Sequence, residues 1–133
     1  MSYRSVEKYV TLVGSDIPER ALEAVRENRV LLLISRGSRR RLFVFKSRDR
    51  DYLIIPRILC TCKDYEFNVV FRRSKPACYH LIATELAIRE GKIKEVSVGD
   101  ADFSNILYEV VYDGFSRTLR RVIAEKNSTG SSP

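Results

Sequence analysis

Cys60-Thr-Cys62 and Cys78-Tyr-His80 hold every cysteine and the only histidine of the 133-residue chain. Each pair is spaced by one residue, and fifteen residues separate the pairs. Such a set of soft donors suits zinc, which takes four tetrahedral N/S ligands. A Cys3His shell with no water position is a closed, structural site. The spacing is physically workable. A C-x-C pair at a strand end can aim two sulfurs at one point where the backbone kinks, and a Cys just before a helix with a His in its first turn can face back along the chain. Other chemistries fit less well. Cysteine is often only a small buried hydrophobe, but that does not account for the joint spacing. A Cys60–Cys62 disulfide would close too short a loop, and a chain without a secretory leader is expected in a reducing compartment. Redox motifs use C-x-x-C beside a βαβ unit. A Cys78/His80 nucleophilic pair has no third group to orient it. Without paired carboxylates, a Gly-rich phosphate loop or a triad, the chain is expected not to be an enzyme. One structural Zn²⁺ on Cys60, Cys62, Cys78 and His80 is therefore the expected cofactor. With three thiolates it contributes a net −1, taking the formal charge from +7 to +6, and its binding energy, on the order of 10 kcal/mol, is largely folding energy.

The elements that must carry these ligands follow from periodicity and turn chemistry. Asp16 is placed to cap a helix, with Pro18 in its first turn and Glu19 completing a capping box. That helix runs to about Asn28 with Ile17, Ala21, Leu22 and Val25 on one face. Val30–Ser35 reads as a strand, Arg36-Gly-Ser-Arg39 as a turn, and Arg41–Lys46 as the return strand. Asp49-Arg-Asp51 turns the chain into a third strand over 52–59, where Pro56 implies an edge or a bulge. Helices are expected over 64–73 and 80–90, the second stopped by Gly91, and 92–98 reads as a short strand or an extended connector. Asp102 is placed to cap a long helix to about Ala124, with Gly114 as a possible break. The fold class is α+β: a small three-stranded antiparallel sheet, a zinc-stapled helical segment and a long C-terminal helix. Residues 1–126 form one domain with the metal-binding core at 58–90, and the polar tail 127–133 is expected to be disordered.

Composition sets the outer bounds. Hydrophobic residues at 44% and charged residues at 31% describe a globular domain. The longest apolar run, Val30 to Ile34, is far short of the roughly 18 residues needed to cross a bilayer, and the first twenty residues lack a signal-peptide core. The expected location is the cytoplasm of a prokaryote, or the nucleus if the source is eukaryotic. Arg outnumbers Lys by 17 to 7 and Gln is absent, a bias that fits a thermophilic archaeal source.

The net charge of +7 favours polyanionic partners. Arg36, Arg39, Arg40 and Arg41 gather at one hairpin turn, where they either hold phosphates or form a solvated, edge-protecting tip. Arg72, Arg73 and Lys75 lie between the ligand pairs and either offset the thiolates' charge or touch a DNA backbone. Tyr65, Phe67, Phe71 and Tyr79 offer rings to bases, although the four-residue spacing of Phe67 and Phe71 suits a core better. On the last helix, Phe103, Leu107, Tyr108, Val111 and Tyr112 are a candidate partner surface, unless the helix packs flat across the sheet.

The C-x-C…C-x-H arrangement of Cys60, Cys62, Cys78 and His80 resembles the SWIM-type zinc finger, as does the order of strands before the first pair and a helix after the second. Residues 20–110 are similar in length and pattern to the small SWIM subunits of Shu-type recombination-mediator complexes. The shared features are Ala21-Leu-Glu-Ala-Val25 leading into Val30–Ser35, Arg40–Lys46, Cys60-Thr-Cys62, Tyr65-Glu-Phe67, Arg72-Arg73 and Cys78-Tyr-His80-Leu-Ile-Ala83. The chain departs from the pattern at Lys63, where proline often follows the second cysteine, and at Tyr79, where a basic residue is usual. The resemblance implies a non-catalytic zinc adaptor in homologous-recombination DNA repair. It implies a hetero-oligomer with a RecA-family recombinase paralogue ATPase, a homodimer being the other possibility, and assistance in binding single-stranded DNA. The alternative is a stand-alone DNA-binding zinc finger protein without an ATPase partner.

Overall fold

The computed structural model describes residues 17–130, with side chains through Asn127. The first helix, α1 (Glu19–Arg26), follows Pro18, whose extended backbone stands at the N-cap. Asp16, the expected cap, lies outside the described residues. Glu19 pairs with Arg26 at 2.8 Å. Ala21, Ala24 and Val25 form the buried face, and Asn28, at φ 56°, turns the chain into the sheet.

Five strands form that sheet: β1 (Val30–Ser35), β2 (Arg41–Lys46), β3 (Asp51–Ile55), β4 (Leu59–Cys60) and β5 (Lys94–Val98), in the order β4-β3-β2-β1-β5. β1, β2 and β3 make the expected antiparallel meander, with Leu32 opposite Phe43 and Val44 opposite Leu53. The sheet is nonetheless mixed and larger than the three-stranded antiparallel one expected, because β5 pairs in parallel with the other edge of β1, Leu33 opposite Val96. That explains why Val30 to Leu33 are all buried: a strand with neighbours on both sides and layers on both faces reads as a continuous apolar run. The third strand also ends earlier than expected, at Ile55. Pro56 offers no N–H, Arg57 adopts φ 69°, and the Ile58 N–H closes the turn on the Ile55 carbonyl at 2.9 Å. The chain then returns as the two-residue β4, pairing Cys60 with Ile54.

Alternation along the strands builds a core on each side. Val30, Phe45, Ile54 and Cys60 face α1 and α2 (Tyr79–Glu90), which pack on each other, while Leu31, Leu33, Val44, Val96 and Val98 face the C-terminal helices. Gly91, at φ 66°, ends α2 as anticipated.

The expected single C-terminal helix is three pieces: α3 (Asp100–Tyr108), a π-helical turn Glu109–Asp113, and α4 (Arg117–Gly130). Gly114, at φ 69°, makes the break, and its carbonyl accepts the Asp51 N–H at 2.8 Å. Ser116 caps α4 by accepting the Leu119 N–H at 3.0 Å, and Glu109 accepts from the Ser116 hydroxyl and from Thr118. Buried Asp51 accepts from the Ser116 N–H at 2.7 Å and pairs with Arg120, tying this corner to β3. α3 starts at Asp100, whose carboxylate accepts from the Ser35 hydroxyl and from the Gly37 and Ser38 N–H groups. Asp102, expected as the cap, lies inside the first turn and pairs with Arg121 at 2.7 Å. α4 continues past Lys126 to Gly130; positions 131–133 lie outside the described residues.

Candidate metal centre

β4 delivers Cys60 from its end, the following bend delivers Cys62, and the start of α2 delivers Cys78 at its N-cap and His80 in its first turn. The four donor atoms lie within 4.8 Å of one another and all four residues are buried. The Cys60 Sγ to His80 Nδ1 separation is 3.7 Å. Tetrahedral bonds of about 2.3 Å to sulfur place ligand atoms roughly 3.8 Å apart, so the cluster is close to the size a small ion requires. None of the cysteines is in a disulfide.

The sulfurs' mutual effects show why a cation suits them. Cys62 is driven well below the ordinary thiol range by hydrogen bonding from Cys60 first, then Cys78, with His80 and the Tyr65 N–H adding to it against the cost of burial. Cys60 is driven up for the complementary reason, its hydrogen bond to Cys62 leading. Cys78 is pushed up to about 12: its bond with Cys60 favours ionisation, but its bond to Cys62, its burial and the Cys62 charge outweigh that. Crowded together, the three sulfurs oppose one another's ionisation. A divalent cation would allow all three to ionise.

Backbone and neighbouring side chains fix the donors. The Tyr65 N–H points to Cys62 Sγ at 3.3 Å, and the Leu81 N–H also favours a thiolate at Cys78. Thr61, between the first two ligands, accepts the Leu53 N–H on its hydroxyl at 3.0 Å and gives its own N–H to the Leu53 carbonyl at 3.2 Å, which holds the kink against β3. The His80 ring packs against Phe45 and Tyr52, both at 4.5 Å, and Tyr79 at 4.0 Å. Across from the ligands, Glu85 of α2 is 1% exposed and holds Arg57 through two hydrogen bonds of 2.9 and 2.6 Å. This ion pair joins the helix that bears His80 to the turn that precedes Cys60. Arg57's hydrogen bonds, foremost, hold the Glu85 carboxyl below its ordinary value in spite of burial. Neither Glu85 nor Thr61 was legible as a supporting residue; the only signal was one charged residue in the otherwise uncharged stretch Leu81 to Ile88.

The remaining sequence candidates divide. Lys75 pairs with Asp64, while Arg72 and Arg73 are exposed and pair with no described residue. The hairpin cluster is dispersed by its own contacts. Arg36 donates to the Ser97 carbonyl, Arg40 reaches Ser104 and lies over the Phe103 ring, and Arg39 and Arg41 are exposed. Phe103, expected on a partner surface, is instead 2% exposed: it belongs to the core between α3 and the sheet. Leu107 is half-buried, and Tyr108, Val111 and Tyr112 are exposed, with the two tyrosine rings 4.6 Å apart. Phe67 and Phe71 reverse their expectation. The segment Tyr65–Phe71 winds as a π-helix with no buried residue, leaving Phe67 49% and Phe71 71% exposed. Four-residue spacing aligns side chains on an α-helix, but here no described element packs over them.

Comparison with protein-family models, with curated proteins and with solved structures finds no match. Among the described residues, no helix is long and apolar enough to cross a membrane. The fold and the site together define an α+β domain with a buried Cys3His cluster able to hold a metal ion.

Proposed function

We propose that the cluster is a structural zinc site and that the domain is a non-catalytic adaptor in homologous-recombination DNA repair, pairing with a RecA-family recombinase paralogue and assisting single-stranded DNA binding. The observation that carries the zinc assignment is the convergence of Cys60, Cys62, Cys78 and His80, all buried, on one point. Zinc suits three thiolates and an imidazole in a closed shell, and it has no redox chemistry. Cys60, Cys62, Cys78 and His80 would hold it, and bound there it would link β4 to α2 in a small core. The recombination role rests on the C-x-C…C-x-H resemblance.

Two apolar surfaces support an adaptor. Phe67, Val70 and Phe71 form one, beside the exposed Arg72 and Arg73; Tyr108, Val111 and Tyr112 form the other. Monomers seldom leave such clusters uncovered unless a partner uses them. The test is co-expression with a RecA-family ATPase of the same genome, followed by size-exclusion chromatography. The wild type should elute with the ATPase as one complex, and Phe71→Asp should abolish co-elution at unchanged zinc content. Failure of the wild type to associate would leave the stand-alone DNA binder, a reading favoured by the exposed Arg39 and Arg41.

A further inference from the structure

We propose that the recess beside the metal centre is a nucleotide-sized seat for single-stranded DNA, in which Arg20, Arg50 and Lys63 take phosphates while Tyr52 and Tyr79 contact a base. The inference rests on the single-strand role proposed above and assigns it a place distinct from the Arg36–Arg41 hairpin. The recess has a volume of about 460 Å³, within the few-hundred-Å³ range of small-ligand sites.

Its charge balance is one-sided. Arg20, Arg50 and Lys63 line it and form no ion pair with any described residue, whereas its two carboxylates are already engaged, Asp64 by Lys75 and Asn68, Asp51 by Arg120 and the Ser116 N–H. A polyanion there meets three uncommitted cations. A net −1 on a zinc-loaded centre would reduce that field without cancelling it. The adjoining hollow, which shares Arg20, is different, since its own Arg29 and Arg48 face three carboxylates, Glu23, Glu27 and Asp49. The strand is therefore drawn to the first recess and not to its neighbour.

The walls suit an unstacked base. Tyr52 and Tyr79 supply rings, and Val110 and Val111 supply aliphatic surface. Arg20 already lies over the Tyr79 ring, 4.8 Å from its centre, which places a guanidinium beside any base that enters. Buried Asp51 also lines the recess, and its Oδ1 has no hydrogen-bond donor among the described residues. Every DNA base carries an N–H that can fill that role. A duplex keeps its base faces stacked and its pairing edges occupied, so the recess selects single strands.

The test is fluorescence anisotropy of a labelled oligothymidylate with the full-length, zinc-loaded protein over a range of salt. The proposal expects Arg50→Ala/Lys63→Ala to weaken binding about tenfold and to flatten the log-affinity against log-salt slope by about 1.4, since each single-strand phosphate contact contributes about 0.7. Zinc content and unfolding midpoint should not change. Lys92→Ala/Lys94→Ala, which removes the same charge near the opposite edge of the sheet, should bind like the wild type, and duplex of the same length should compete poorly. Wild-type binding that Arg50→Ala/Lys63→Ala leaves unaltered would overturn the recess while sparing the single-strand role. No binding by the wild type even at low salt would overturn both. Equal competition by free thymidine monophosphate would overturn the strand assignment in favour of a mononucleotide pocket.

Discussion

At the scale of single residues, each ligand is needed because the others cannot stay buried without it. Removing one donor leaves three, and a metal with an incomplete shell, in a domain whose total stability is expected to be about 5–15 kcal/mol. Loss of a contribution on the order of 10 kcal/mol would consume most of that. Cys62→Ala and His80→Ala should therefore yield insoluble or partly unfolded protein without stoichiometric zinc, read by elemental analysis and circular dichroism. Glu85 makes a separable prediction. Its folded carboxyl lies below the ordinary 4.5, so its ion pair with Arg57 stabilises fully above that value, and the contribution is lost as pH falls through the lowered folded value. Glu85→Gln should cost about 3 kcal/mol near neutrality, because it removes a buried carboxylate charge from beside a largely buried guanidinium. The deficit relative to wild type should shrink below about pH 4.5 in denaturant titrations run at several pH values.

At the scale of elements, the chain's course is set by two irregularities. One is the Pro56–Ile58 turn, which ends β3 and brings Cys60 back along it; the other is Gly114, whose positive φ ends the π-turn and whose carbonyl ties the corner to Asp51. A Cβ at Gly114 would stand 3.0 Å from the Arg50 side chain, which is flexible, so the backbone strain dominates. Gly114→Ala should lower stability by about 1 kcal/mol, measured by urea denaturation, with zinc content unaffected. The meander, the helix ended by Gly91 and the grouping of the ligand pairs were legible, because each has a local cause in turn residues, alternation or spacing, whereas the Pro56–Ile58 turn fell inside what read as one strand over 52–59. β5 was harder to read. Lys94–Val98 is short and its pairing partner β1 lies some sixty residues away, a non-local choice that no local pattern encodes. Phe67 and Phe71 misled for the opposite reason: their spacing is a local helix signal, while their exposure depends on what packs above them.

At the scale of the whole molecule, the core is divided between two faces of one sheet, and the metal centre belongs to only one of them. Metal removal should therefore loosen α2 and the 60–80 segment first, while the β1–β5 pairing beneath α3 and α4 persists. Hydrogen exchange after chelation should show lost protection at Tyr79–Glu90 before Lys94–Val98. The most direct measurement is zinc stoichiometry together with zinc-edge X-ray absorption on protein purified without added metal. One zinc per chain with three sulfur neighbours near 2.3 Å and one nitrogen near 2.0 Å is the predicted result. No bound transition metal, or a first shell dominated by oxygen, would contradict the account.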